Sequence, residues 1–115
     1  MNYIKITENK NNLVKGNLTN DKGSFSIPVK FSNNGLAHFR NNKVEINPDL
    51  INIIKDNKVI SSMTDVKISE MFGKSIIEGT NADDGHSNVM ISTEEIKQMW
   101  TETYDYKCDV WNIEI

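Results

Sequence analysis

The chain has 115 residues, 37% of them apolar and 25% charged, with a net charge of −3 at pH 7 and a mean hydropathy of −0.50. That size and balance suit one globular domain, residues 1–115, with a core large enough to need no disulfide framework. No apolar run approaches the roughly 18–20 residues of a membrane span, and with no basic-then-apolar leader and a lone Cys108 the expected compartment is the cytoplasm.

The first half predicts an antiparallel β meander able to curl into a small barrel. Residues 3–7 and 13–19 suit strands, and Asp21-Lys22-Gly23 suits the turn that follows. Phe25, Ile27, Val29 and Phe31 then alternate with Ser24, Ser26, Pro28 and Lys30, the period of a half-buried strand. Pro28 donates no hydrogen bond, so an edge position or a solvent-facing nitrogen is expected there. Asn33-Asn34-Gly35 supplies the positive φ angles of a tight hairpin turn. Strands over 36–40 and 43–46 complete the set.

The middle is ambiguous. Asn47-Pro48-Asp49 has the chemistry of a helix start, with a capping Asn, a proline at the first helical position and an acid near the positive dipole end. Leu50, Ile51, Ile53 and Ile54 would then form the buried stripe of one short helix. The alternative for 50–62 is a hairpin, 50–54 against 58–62. Residues 64–72 fit helix or strand, whereas 75–78 and 88–91 read as strands around a polar loop.

The strongest helical signal lies at 93–104. Ser92 and Glu95 have the spacing of a capping box, and Ile96, Met99, Trp100 and Thr103 fall on one helical face. Trp111, Ile113 and Ile115 alternate as a terminal strand. The expected class is therefore α+β: a leading meander, a short middle helix, a capped amphipathic helix near 93–104 and a last strand.

Charge is sorted along the chain. Residues 1–58 hold nine Lys or Arg against five acids, and residues 59–115 hold four Lys against eleven acids. Such polarity favours steered, oriented association. Catalytic chemistry has no comparable signal, and the chain is read as a non-enzyme without cofactor or metal. The loop Asp83-Asp84-Gly85-His86 gathers possible ligands, but an EF-hand frame would put Thr80 and Ile91 where acids are required. It reads as a solvated turn. His38 has no assignable nucleophile or orienting partner, and Asp109 beside Cys108 disfavours the thiolate.

Two features point to binding. Acids and aromatics meet near the C-terminus, where Glu102, Tyr104, Asp105, Tyr106 and Asp109 form the candidate contact set for a host protein with a basic surface. The chain's size, its Asn-, Lys- and Ile-rich composition and its lack of a catalytic motif suit an inhibitor or accessory protein of a phage or mobile element. The alternative is a basic β-barrel module for nucleic acid, with Lys30, Arg40 and Lys43 as contacts among a wider set that includes Lys5, Lys15 and Lys22. A third reading is a binder of a small anionic ligand at an oligomer interface.

Overall fold

The computed structural model describes residues 2–32, 43–45, 48–101 and 110–115. They form β1 (Asn2–Lys10), β2 (Leu13–Asn20), β3 (Ile27–Ser32), β4 (Lys43–Glu45), β5 (Leu50–Lys55), β6 (Lys58–Met71), β7 (Lys74–Asn81), β8 (Ser87–Ser92), β9 (Gln98–Thr101) and β10 (Val110–Glu114). All ten join one mixed sheet in the order β4-β1-β2-β3-β9-β10-β5-β6-β7-β8.

This overturns the α+β expectation. Among the described residues the only helical piece is a 3₁₀ turn at Thr93–Glu95. Ser92 does cap, but its hydroxyl accepts from the Glu94 amide at 3.4 Å and the turn stops at Ile96. Residues 98–101 then run as a strand, parallel to β3 and antiparallel to β10. The helical spacing of Ile96 and Met99 is real, and both are buried. A helix there, however, would leave the facing backbone groups of β3 and β10 without sheet partners. Ladder pairing on both flanks outweighs a weak local propensity, and Trp100 and Thr101 are themselves good strand formers.

The middle helix is likewise absent. Residues 50–55 form β5, which pairs antiparallel with β6 across Asp56-Asn57 and parallel with β10 on its other flank. Asp56 and Asn57 adopt φ of 52° and 63°, a left-handed turn such residues tolerate. Ile51 and Ile53 point into the core, and β-branched isoleucines suit a central strand. Residues 64–71 continue β6 as strand. Strand β6 pairs with β5 only as far as Met63, then bulges near Asp65 (φ 52°) and continues against β7.

The sheet rolls over its apolar face. Ile4, Val14, Leu18, Val29 and Phe31 from one end share a single core with Ile51, Met63, Ile77 and Ile91 from the other, around Met99, Trp111 and Ile113. Phe31 and Trp111 meet edge-on, with centroids 6.0 Å apart. Pro28 lies opposite Asn17, one residue before β3 begins to pair with β9 at Val29.

Close strand approach sets one strict requirement. A Cβ at Gly16 would press on the Lys5 carbonyl group of β1, backbone that cannot step aside without breaking the ladder. Gly16→Ala should therefore cost about 1–3 kcal/mol, read as a lower urea midpoint with an unchanged slope. An unchanged midpoint would contradict this packing.

Candidate nucleic-acid interface

Alternation along the strands fixes which side chains leave the core. In β2, Val14 and Leu18 are buried and Lys15 is exposed; in β3, Val29 and Phe31 are buried and Lys30 is half-buried between them. In β9, Met99 and Thr101 point inward, which turns the half-buried Trp100 outward. In β10 and β5, Trp111, Ile113, Ile51 and Ile53 fill the core while Asn112 and Asn52 face out.

Register then lines these outward residues into one row. Lys15 is paired with Lys30, Lys30 with Trp100, Trp100 with Asn112, Asn112 with Asn52, and Asn52 with Ser62. At about 4.8 Å per strand the row spans roughly 24 Å. Its second half is a hydrogen-bonded ladder. The Ser62 hydroxyl donates to Asn52 Oδ1 at 2.6 Å, Asn52 Nδ2 to Asn112 Oδ1 at 3.3 Å, and Asn112 Nδ2 to the Trp100 carbonyl at 3.4 Å. These bonds hold the two carboxamides in fixed orientations beside the indole.

The first half of the row is cationic. Lys15 and Lys30 are directly opposed, the cross-strand placement that like charges disfavour. Lys15 has a long 3.7 Å contact with Glu8, and Lys30 has no ion pair among the described residues. Lys5, one row away on β1, lies opposite Asn17; Lys43 of β4 occupies the register position opposite Lys5.

Along the strand order, charge stays sorted among the described residues. Residues 2–32, on one side of the sheet, carry Lys5, Lys10, Lys15, Lys22 and Lys30 against Glu8 and Asp21. Residues 58–97, whose strands lie at the other end, carry Lys58, Lys67, Lys74 and Lys97 against Asp65, Glu70, Glu78, Asp83, Asp84, Glu94 and Glu95. The ion pairs Lys15–Glu8, Lys67–Glu78 and Lys74–Glu94 each stay within one group. Strands β9, β10 and β5 separate the two in the sheet order, while the roll of the sheet brings Asp21 and Lys22 to the same cleft as Glu70.

Of the residues singled out from sequence, Lys30 falls in the row and Lys43 at its β4 flank. Arg40, Glu102, Tyr104, Asp105, Tyr106 and Asp109, together with His38 and Cys108, lie outside the described residues. Trp100 is the residue that sequence reasoning misplaced. A helix puts it beside Met99 in the core, whereas strand alternation separates the two. The Asp83–His86 loop is a built turn: Asn81 Oδ1 accepts from the Asp83 amide at 2.8 Å, and Asp84 Oδ1 accepts from the His86 amide at 2.9 Å. His86 Nδ1 stands 3.6 Å from Asp84, both open to solvent. Among the described residues no three His, Cys, Asp or Glu converge as a metal site, and no helix is long and apolar enough to cross a membrane.

Comparison of the chain with protein-family models, with curated proteins and with solved structures finds no match in any of the three.

The Lys15–Lys30 opposition has a measurable consequence. Lys30→Glu replaces a like-charge pair with an opposite-charge one, so stability should rise by about 0.2–0.5 kcal/mol. The gain should fade as salt is added, and thermal melts at low and high ionic strength would show it. A destabilised variant would mean that the two side chains do not share a face.

Proposed function

We propose that this is a non-catalytic cytoplasmic binding protein whose outer sheet face takes single-stranded nucleic acid. One observation supports the reading above the others: two opposed lysines stand directly beside an outward-facing tryptophan. Phosphates would relieve the Lys15–Lys30 repulsion, and the indole offers a stacking surface for a base. Asn112 and Asn52, fixed by their ladder, extend the row with carboxamides that can meet base edges. A pI of 5.3 does not oppose this, because among the described residues acids outnumber lysines at the end of the strand order away from the row, while lysines outnumber acids beside it.

A second reading is favoured by that same sorting. The acidic half would engage a basic host protein surface, as an inhibitor or accessory protein of a phage or mobile element. Reversal of Glu102, Asp105 and Asp109 to Lys should then abolish capture of that partner while the fold survives, and undiminished capture would oppose it.

The nucleic-acid reading is tested by titrating a labelled single-stranded oligothymidylate of about 15 nucleotides at low salt. Binding should quench Trp100 while the buried Trp111 keeps its emission, so only part of the fluorescence is lost. Trp100→Leu should weaken binding about tenfold or more. Lys15, Lys30 and Lys5 together should give a log–log salt slope near about −2, from roughly 0.7 counterions per phosphate contact. No anisotropy change for the intact protein at low salt would refute the proposal.

A further inference from the structure

The strand order ends at β4 on one side and at β8 on the other. A terminal strand offers a row of backbone N–H and C=O groups to any extended chain, and folded proteins guard such rows with short strands, charge or proline. The β4 side is guarded. Strand β4 is three residues long and carries Lys43 and Glu45, and the part of β1 that runs past it carries Glu8 and Lys10. Strand β8, by contrast, has neither charge nor proline between Ser87 and Ser92. An irregularity at Asn88 (φ 76°) interrupts its start, and from Val89 to Ser92 it pairs regularly with residues 76–79 of β7. Its other flank has no strand partner among the described residues.

Alternation gives this edge two different faces. Val89 and Ile91 pack on the core side, whereas Met90 stands 49% exposed on the outer face, opposite Glu78. The strand is also bracketed by acid. Residues 78–95 hold Glu78, Asp83, Asp84, Glu94 and Glu95 and no Lys or Arg. Lys67 meets Glu78 at 3.0 Å, and Lys74 reaches Glu94 at 3.8 Å. Asp83, Asp84 and Glu95 have no Lys or Arg partner among the described residues, and Asp84 has His86 at 3.6 Å. All of these acids except the half-buried Glu78 are exposed.

We propose that β8 takes an extended peptide segment as a further strand, one with an apolar residue to pack beside Met90 and basic residues at both ends. Backbone bonds would supply the pairing, as in other strand additions. The two acidic brackets, one in the 83–84 turn and one at 94–95, would select the charged ends. A second copy of the chain is a poor occupant. Antiparallel pairing of two β8 strands sets the 83–84 acids of each against the 94–95 acids of the other, and parallel pairing sets each bracket against itself. The site makes no use of Glu102, Asp105 or Asp109, and it stands whether or not the outer row takes nucleic acid.

The test uses a labelled synthetic peptide with a core of about six alternating valines and threonines, the length of β8, and two lysines at each end. Anisotropy at low salt should give a Kd of about 10–100 µM. A peptide ending in glutamates instead should bind at least about tenfold more weakly. One N-methylated throughout its core keeps the charge but has no N–H to pair, and it should lose binding by about tenfold or more. Amide exchange of the free chain should leave part of the Val89–Ser92 backbone unprotected, and saturating peptide should slow those amides at least about tenfold. Met90→Lys, which guards the edge with charge, should weaken the lysine peptide about tenfold or more. The proposal is overturned if no peptide binds, if the N-methylated peptide binds as well as its parent, or if every β8 amide is already protected in the free chain. Protection that rises with protein concentration alone would make a second copy the occupant and overturn it too. Should Met90→Lys fail to fold, the N-methylated peptide and the exchange data decide the matter.

Discussion

The rest of the structure depends on β9 finding a backbone partner on each side. Four residues, Gln98–Thr101, lie between β3 and β10 and complete two ladders at once. Without them the N-terminal meander and the strands from β5 onward would be separate sheets with two raw edges. The pairing to β3 is parallel, so this closure joins segments about seventy residues apart in sequence and carries the loop-closure entropy of such contacts. Burial of Met99 and Thr101 against the shared core offsets that cost.

That insertion also decides what the surface presents. Once 98–101 is a strand, period two sends Trp100 outward and register places it beside Lys30. A one-residue slip would bury the indole and expose Met99, exchanging the two faces throughout β9. The neighbours resist such a slip, because Asn112 donates to the Trp100 carbonyl and accepts from Asn52, which Ser62 holds in turn. The outward polar ladder and the inward apolar set thus enforce the same register from opposite sides of the sheet.

Much of the fold is legible in the sequence where one periodicity has no rival. The alternation of Phe25, Ile27, Val29 and Phe31 reads directly as buried positions, and Trp111 and Ile113 do so again near the C-terminus. Two segments mislead for a physical reason. Ser92…Glu95 and Asn47-Pro48-Asp49 carry true helix-start chemistry, yet each precedes a stretch whose apolar residues satisfy helix and strand spacing alike. Over so few residues the outcome is set by the strand next door, which local sequence does not encode. Leu50–Lys55 contains both answers, and the hairpin wins because β10 and β6 flank it. The binding row is less legible still. Lys30 stands out by charge, but its neighbours Trp100, Asn112 and Asn52 are 70, 82 and 22 positions away along the chain. Only the register joins them.

Backbone NMR across residues 96–101 distinguishes the β9 strand from a helix. Extended carbon shifts for Met99, Trp100 and Thr101, with cross-strand contacts from Trp100 to both Lys30 and Asn112, are the predicted result. Helical shifts with contacts three residues apart along 93–104 would contradict it, since Trp100 would return to the core and the outward row would lose its aromatic centre.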